Sequence, residues 1–437
     1  MKRIILFIPM LALIGLANAQ STDTAEGYKT LEGCIAYALA HQTNIKQARI
    51  DQEIADRSIK SHLADWFPQV NFDGNYQYNF QLPATIFNGV ASPIGTKNAS
   101  YGYFGLSQTI FNRDVLFTQQ TAADVRNLAK QNTVATTIDV VANVSKAFYD
   151  VLLSKAQVIL LDSDIVLLQR SLKDAYNQYT GGLVDKTDYQ RATITLNNSI
   201  AALKISEEAM KSKTAVLKLL MSYPADSALE LEYDSAKMAE HMLDVDTLQQ
   251  VDFNNRIEYQ SLTTTKRLQQ ANLKYYKWGF LPSVTAFGEY NLNYYNNEFS
   301  KLYSNNFPNS YAGLSLSIPI FQGTKRIQQV RIAELQLKRL DYNFVSLADT
   351  IKSQYVQALA SYKANLKNYF EQRENLALAR EVYDIIRLQY RAGVKTYLDV
   401  ITANNDLFSS QVNLINAIFQ VLVNKIDVER ALGTLKY

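Results

Sequence analysis

The sequence predicts a mixed α and β protein made of two internal structural repeats. Each repeat is expected to hold a short helix, a pair of β-strands and a long helical hairpin. Three observations support this fold class: short motifs recur at an offset of about 210 residues, two long tracts contain no proline, and four segments alternate apolar and polar residues. A repeat of this size is too long for a solenoid, so the chain should have internal pseudo-symmetry.

The duplication is visible in three pairs of motifs. They are QYTGGL (178–183) and QYRAGV (389–394), FPQV (67–70) and LPSV (281–284), and SQTIF (107–111) and SIPIF (317–321). They divide the chain into a first repeat at 20–222, a connector at 223–246 and a second repeat at 247–437.

The N-terminus has the pattern of a secretory signal peptide, predicted over residues 1–19. Lys2 and Arg3 precede an apolar stretch, and Ala17-Asn18-Ala19 forms a small-residue cleavage site. No later run of about 18 apolar residues occurs, so no membrane-spanning helix is expected. The single cysteine, Cys34, excludes an internal disulfide.

Composition and motifs argue against several function classes. The net charge of +3 is close to balance, which disfavours a nucleic-acid-binding protein. The three histidines lie far apart in the sequence, and no glycine-rich phosphate loop or catalytic constellation is present. We therefore expect no enzymatic activity, no cofactor and no metal site.

The two proline-free tracts, 113–222 and 323–437, predict continuous helices because proline breaks helix interiors. Gly181-Gly182 and Gly393 interrupt them, so each tract should be a helix, a tight turn and a second helix. Both first arms carry a long apolar stripe, and a strict seven-residue repeat favours a left-handed supercoil. In the second tract that repeat is Tyr355, Tyr362, Tyr369, Leu376, Tyr383 and Tyr390. We interpret the stripe as a packing seam, in arms of about 100 Å at 1.5 Å per residue.

The strand pairs are predicted within 69–111 and 283–321, at residues 69–80, 100–111, 283–294 and 312–320. Along 69–80, apolar and tyrosine side chains alternate strictly with amide and acidic side chains. Along 100–111, Tyr101 and Tyr103 are out of phase with the later apolar residues, and a bulge near Gly105 would explain this. Polar loops, 81–99 and 296–310, should join the strands of each pair.

Two placements fit these strands. One apolar, tyrosine-rich face and one amide and hydroxyl face are typical of transmembrane β-barrel strands, whereas a half-buried strand of a soluble sheet gives a similar alternation. In a membrane, four strands cannot close a barrel and an open edge is not tolerated. Eight strands would nearly fill the bore and twelve would leave an aqueous lumen, so a conduit favours a trimer.

In the order of these elements the sequence resembles the TolC-type outer membrane efflux proteins over nearly the whole mature chain. The shared features are a helix ending in Trp66-Phe67-Pro68, a strand pair, SQTIF before a long helix and a Tyr-x-x-Gly turn, all duplicated, with a final ALGTL at 431–435.

This resemblance implies a homotrimer in the outer membrane of a Gram-negative bacterium. Its twelve-stranded β-barrel, with four strands per chain, would continue into a long periplasmic α-helical coiled-coil barrel, with residues 223–246 in an equatorial belt. The partners implied are outer membrane lipid, a periplasmic adaptor (membrane fusion) protein and an inner-membrane pump of the RND, ABC or MFS type. The implied function is an exit duct for efflux or type I secretion; the alternative is a soluble periplasmic coiled-coil adaptor or scaffold.

The resemblance also places gating residues at the two turns of the helical tip. Thr187 and Asp188 fall in the first turn, and Tyr390, Lys395 and Asp399 in the second. Hydroxyl-to-carboxylate and lysine-to-carboxylate links there would hold the tunnel shut. The alternative is helix capping, because Asp188 and Asp399 each lie three residues after a candidate N-cap residue.

Two further features of the tip concern the charge of the tunnel. Family members often carry an aspartate three residues after the position of Asp399, whereas this chain has Thr402, so strong cation binding at the tunnel mouth is not expected. Arg373, Arg380 and Arg387 recur every seven residues and form either a solvated face or, if they face the lumen, an anion-favouring wall.

Overall fold

The computed structural model describes residues 29–87, 89–182, 184–233, 238, 242 and 249–437. The predicted signal peptide lies outside these residues, as does part of the predicted connector. In the described part of the chain, none of the helices combines the length and the apolar character that a membrane-crossing helix requires.

The elements occur twice in the same order. The first repeat contains α1 (Leu31–His41), α2 (Thr43–Ala64), β1 (Gln69–Tyr78), β2 (Ala84–Phe87), β3 (Val90–Pro93), β4 (Asn98–Phe111), α3 (Arg113–Thr180) and α4 (Lys186–Met221). The second contains α5 (Ile257–Lys277), β5 (Ser283–Asn296), β6 (Asn309–Ser317), α6 (Lys325–Arg391) and α7 (Tyr397–Leu432). The long helices α3 and α6 have 68 and 67 residues, and α4 and α7 have 36 each. These matched lengths confirm the predicted duplication.

The four long strands form one antiparallel sheet in the order β1-β4-β5-β6, with β4 and β5 pairing across the two repeats. Opposed residues share a face of the sheet. Tyr101 and Tyr103 lie opposite Asn75 and Asp73, which puts these two tyrosines on the amide face. Their predicted phase difference is therefore real, since the apolar face of β4 is carried by other residues such as Phe104.

The strands differ from the prediction in three places. The register shift of β4 lies between Thr109 and Phe111, so the bulge predicted near Gly105 is wrong; Gly105 pairs regularly with Glu289. β6 ends at Ser317, because Pro319 cannot donate a ladder hydrogen bond. The loop at 81–99 contains a β-hairpin of β2 and β3. The Asn-Gly dipeptide at 88–89 is the sequence signal for it, and Gly89 has a φ of +82°.

The helices pack along the predicted seams. The largest core joins α1, α3, α4, α6 and α7 with Leu231, Met238 and Met242 of the connector. Within it, the hydroxyl of Tyr362 donates to the Met242 carbonyl at 2.7 Å. Smaller clusters follow toward the turns, around Ile165 and Leu168, around Tyr383 and Val400, and around Tyr397. The apolar stripes of the two long helices are therefore packing seams, as predicted.

Candidate functional site at the helical tip

The tip consists of the two turns that join α3 to α4 and α6 to α7. Gly182 and Gly393 have φ values of +74° and +76°, a left-handed conformation that glycine adopts without strain. Backbone donors of each turn return to the last carbonyls of the preceding helix, for example Gly393 N to Tyr390 O at 3.0 Å. The two turns therefore hold the ends of four helices in fixed geometry.

At the second turn, Asp399 closes a capping box with Thr396. The Thr396 backbone N–H donates to Asp399 Oδ2 at 2.9 Å, and the Asp399 N–H donates to Thr396 Oγ1 at 3.4 Å. The bonds from Thr396 hold the pKa of the Asp399 carboxyl below its ordinary value. The resulting stability is present above a pH of about 4 and is lost as pH falls through the lowered pKa. Lys395 Nζ lies 3.9 Å from Asp399 Oδ1, a loose contact within the same turn.

The first turn has no such box. Asp185 is the N-cap residue of α4, but its side chain accepts no capping hydrogen bond, and the Asp188 N–H bonds to the Asp185 backbone carbonyl at 3.1 Å. Thr187 is exposed and Asp188 is half-buried. The capping interpretation thus holds for Asp399, whereas Asp188 keeps only the favourable position of an acid in a first helical turn.

The hydroxyl of Tyr390 makes a hydrogen bond that links the two hairpins. It donates to Gln178 Oε1 at 2.6 Å, from α6 to α3. Within the chain the partner is thus an amide, and not the carboxylate that the resemblance implies. Burial raises the pKa of Tyr390, with smaller contributions from the negative charges of Asp188 and Asp174, so Asp188 acts on this hydroxyl through its field.

Tyr397 occupies the centre of the tip and is absent from the residues predicted by sequence. Only 2% of this residue is exposed, and it packs with Ala175 of α3 and Ala192 of α4. Its ring lies 5.8 Å from that of Tyr390 on α6. One side chain therefore touches three other helices. The available signal was the helical spacing of the inner stripe of α7, which consists of Tyr397, Val400, Ala403 and Leu407.

A second link between the hairpins, also missing from the sequence prediction, is the buried carboxylate of Asp164 on α3. Asn404 of α7 donates to Oδ1 at 3.1 Å, and Ser199 of α4 donates to Oδ2 at 3.3 Å. Burial raises the pKa of Asp164, and these two hydrogen bonds oppose the rise. The ionised form consequently costs stability at neutral pH, and this cost disappears as pH falls below the raised pKa.

We expect Asp164→Asn to keep or raise the thermal midpoint of the helical region at pH 7, because it preserves shape and removes a buried charge. Asp164→Ala should lower the stability by about 1–3 kcal/mol, since it leaves the buried amide of Asn404 unpaired. Far-UV circular dichroism melts would measure both. Equal destabilisation by the two substitutions would show that the negative charge itself is required.

The remaining predicted residues lie at the periphery. Thr402 is exposed, and its hydroxyl donates to the Leu398 carbonyl at 2.9 Å. Arg387 is half-buried, and its positive charge acts on the pKa of Tyr383, a residue whose pKa is raised chiefly by burial. Arg373 and Arg380 are exposed. In the chain as described, these residues do not join the hydrogen bonds around Tyr390 and Asp164.

The rest of the described chain offers a conduit rather than a reaction centre. Nowhere among the described residues do three or more His, Cys, Asp or Glu side chains come together as a metal site. His41 stacks on Tyr37 at 4.1 Å. Long helical hairpins on an amphipathic four-stranded sheet define a class of protein, the duct that connects a membrane sheet to a long helical tunnel.

Comparison with known proteins agrees with this class. The profile of the outer membrane efflux protein family matches residues 34–221 and 259–434. The outer membrane protein TolC of Escherichia coli K12 is 22% identical over 98% of this chain and 86% of its own length. The probable efflux pump outer membrane protein TtgC of Pseudomonas putida is 22% identical over 95% of this chain and 87% of its own. The Campylobacter jejuni CmeC outer membrane channel superposes with a TM-score of 0.73 at 17% identity, covering 98% of this chain and 94% of that one.

The chain belongs to the outer membrane efflux protein family. It is an outer membrane protein of a Gram-negative bacterium and an efflux duct. The alternative of a soluble periplasmic adaptor is accordingly not retained.

Proposed function

We propose that this chain is the exit duct of a tripartite efflux or type I secretion system. It assembles as a homotrimer and receives substrates from an inner-membrane pump of the RND, ABC or MFS type through a periplasmic adaptor protein. The observation that carries this proposal is an amphipathic four-stranded sheet in which the edge strands β1 and β6 each leave one side unpaired among the described strands.

The two faces of the sheet support a place in lipid. Large apolar side chains on one face are exposed to the surroundings of the single chain, including Val70, Phe72, Tyr76, Leu314 and Leu316. The charged residues of the four long strands are Asp73 and Glu289, and both lie on the other face. Burying the first face in lipid and wetting the second satisfies both.

The length of the strands matches a bilayer. The ten residues of β1 extend about 33 Å at 3.3 Å per residue. Tilted by about 40°, they cover about 25 Å, which is the height of the apolar band of an outer membrane barrel. Three chains supply the twelve strands that leave a water-filled lumen.

The assembly can be tested without knowledge of the cargo. The chain should fractionate with the outer membrane, require detergent for extraction, and run as a trimer on gels until it is heated. Release with the soluble periplasmic fraction as a monomer would contradict the proposal.

We further propose that the tip closes the duct and that the Tyr390–Gln178 hydrogen bond helps to hold it closed. Tyr390→Phe should raise single-channel conductance in planar bilayers, because it removes the donor of this link between the hairpins. Asp188→Ala should have a smaller effect, since Asp188 acts on the hydroxyl only through its charge.

A double-mutant comparison identifies the partner. If the bond to Gln178 is the one that matters, Gln178→Ala should raise conductance by a similar factor and add little to Tyr390→Phe. Full additivity of these two substitutions, or a larger effect of Asp188→Ala, would point instead to a tyrosine-to-carboxylate link between chains. Lys395→Ala tests the loose ion pair with Asp399 and is expected to change little.

A further inference from the structure

The internal duplication determines more than the number of subunits. We propose that the contact between neighbouring subunits copies the contact between the two repeats of one chain. In this arrangement β6 pairs with β1 of the partner subunit, with Ser315 opposite Asn75 of the partner subunit. The outer face of α2 lies on α6 of the partner subunit, with Ile50 beside Lys338 of the partner subunit. This inference rests on the proposed homotrimer and specifies its interface.

The two repeats have the same strand register. Alignment of FPQV with LPSV makes β5 the counterpart of β1, and alignment of SQTIF with SIPIF makes β6 the counterpart of β4. Within the first repeat Val70 is opposite Leu106, and within the second their counterparts Val284 and Leu316 are opposite each other. The equivalence of the two strand pairs is thus exact at the level of single residues.

The strand pair that joins the repeats can therefore be transferred to the join between subunits. In that pair, Gly105 of β4 is opposite Glu289 of β5. The counterpart of Gly105 in β6 is Ser315, and the counterpart of Glu289 in β1 is Asn75. The next pair is Phe104 with Tyr290, and it transfers in the same way to Leu314 opposite Tyr76 of the partner subunit.

The side chains agree with this register. Ser315 and Asn75 both belong to the polar face, whereas Leu314 and Tyr76 belong to the apolar one. A slip by one residue would place a leucine opposite an amide and turn the apolar side chains of one strand into the lumen. A slip by two residues would keep the faces, so experiment must distinguish it from the proposed register.

The helices next to the sheet repeat the same relation. The motif alignments, continued into the helices, make α5 the counterpart of α2 and α6 the counterpart of α3. Gln52 of α2 donates to Thr133 of α3. Their counterparts are Lys266 of α5 and Phe344 of α6, and Lys266 Nζ lies 5.3 Å from the centre of the Phe344 ring. Each short helix therefore sits in the same way on the long helix of its own repeat.

The helix α5 also has a second contact, which reaches into the other repeat. The Asn127 side-chain amide of α3 donates to Thr264 Oγ1 of α5 at 3.4 Å, and Thr264 is 1% exposed. In α2 the counterpart of Thr264 is Ile50, which is 56% exposed in the single chain. The face of α2 that would make this second contact is thus uncovered.

A second copy of this chain supplies the missing surface. The counterpart of Asn127 on α6 is Lys338, and Leu335 one turn away is 66% exposed. Ile54 of α2 and Ile332 of α6 extend these exposed apolar stripes. The stripe on α2 therefore fits the stripe on α6 of the partner subunit, in the position that α5 takes on α3.

The strand register can be tested by cysteine cross-linking in a Cys34→Ala background. Directly opposed strand residues have Cα atoms about 4.5–5.5 Å apart, within the range of about 4.4–6.8 Å that a disulfide spans. Asn75→Cys with Ser315→Cys should therefore shift the chain on non-reducing gels from monomer to dimer and trimer, with no larger species. Thr285→Cys with Ser315→Cys is the matched control, because these residues are opposed within one chain and should give only an intrachain link.

Two displaced pairs make the test sharp. Asp73→Cys or Gln77→Cys with Ser315→Cys would face each other diagonally, about 7–8 Å apart, and should give little trimer. Preferential linking of either displaced pair would overturn the proposed register. If no pair links while heat-sensitive trimers persist, this interface is wrong and the homotrimer stands; a chain that is monomeric in detergent and in membranes defeats both.

The helical contact has its own test. Ile50→Cys with Lys338→Cys should form covalent dimers and trimers, whereas Asn127→Cys with Thr264→Cys should link within one chain. Intersubunit products from the second combination, or none from the first in an intact trimer, would contradict the proposed position of α2.

Discussion

Replacing Tyr397 by alanine is expected to open the tip more than any other single substitution. The ring is fully buried among Ala175, Ala192 and Tyr390, so its removal leaves a cavity between all four tip helices. Truncation of a buried aromatic side chain typically costs about 3–5 kcal/mol. Because this energy holds the two hairpins together, we expect higher single-channel conductance and faster proteolysis at the turns.

Two variants control for other causes. Tyr397→Phe keeps the ring and should retain low conductance, while Tyr176→Ala removes a tip tyrosine that is exposed and should change little. If Tyr397→Ala conducts like the unmodified channel, packing at this position does not keep the tunnel closed.

The substitution Arg256→Ala should cause the largest loss of stability away from the tip. Arg256 is 5% exposed and precedes α5. Its guanidinium donates to the Ala431 carbonyl at 2.9 Å, to Gln354 at 3.1 Å and to both oxygens of Glu258. It thereby caps the C-terminus of α7, where a positive charge is favourable, and ties it to α6. Loss of these charged hydrogen bonds should cost about 3 kcal/mol.

The midpoint of thermal unfolding, followed by circular dichroism on trimers, would measure this loss. Arg256→Lys preserves the charge but not the planar fork that reaches three partners, so it should recover only part of the stability. Glu258→Gln should cost less than Arg256→Ala, because the carboxylate is partly exposed. A midpoint unchanged by Arg256→Ala would mean that the end of α7 is held by packing alone.

Local patterns predicted most of the fold. The proline-free tracts, the Tyr-x-x-Gly turns and the period of two along β1 each depend on residues close in sequence, and helices and strands impose these periods directly. Where prediction failed, a local signal was misjudged: the Asn-Gly turn between β2 and β3 was taken as part of a polar loop, and the phase of Tyr101 was attributed to a bulge near Gly105, although it follows from pairing with β1.

The candidate site was less accessible from sequence. The position of Asp399 three residues after Thr396 indicated a capping box because both residues belong to one turn of one helix. In contrast, the partners of Tyr390 and Asp164 lie 212 and 240 residues away. Nothing in the local pattern of α6 or α3 states which side chain of another helix will be opposite.

The sequence by itself therefore determined the repeats, the helix and strand periods, the turns and the two-faced sheet, because each follows from steric and hydrophobic rules that act along a short stretch of chain. Only the tertiary structure decided that Tyr397 fills the centre of the tip, that Gln178 receives the Tyr390 hydroxyl, and that Arg256 caps α7. These contacts depend on how four helices cross and rotate about one another. That geometry is set jointly by all the packed side chains of the core and is carried by no single segment.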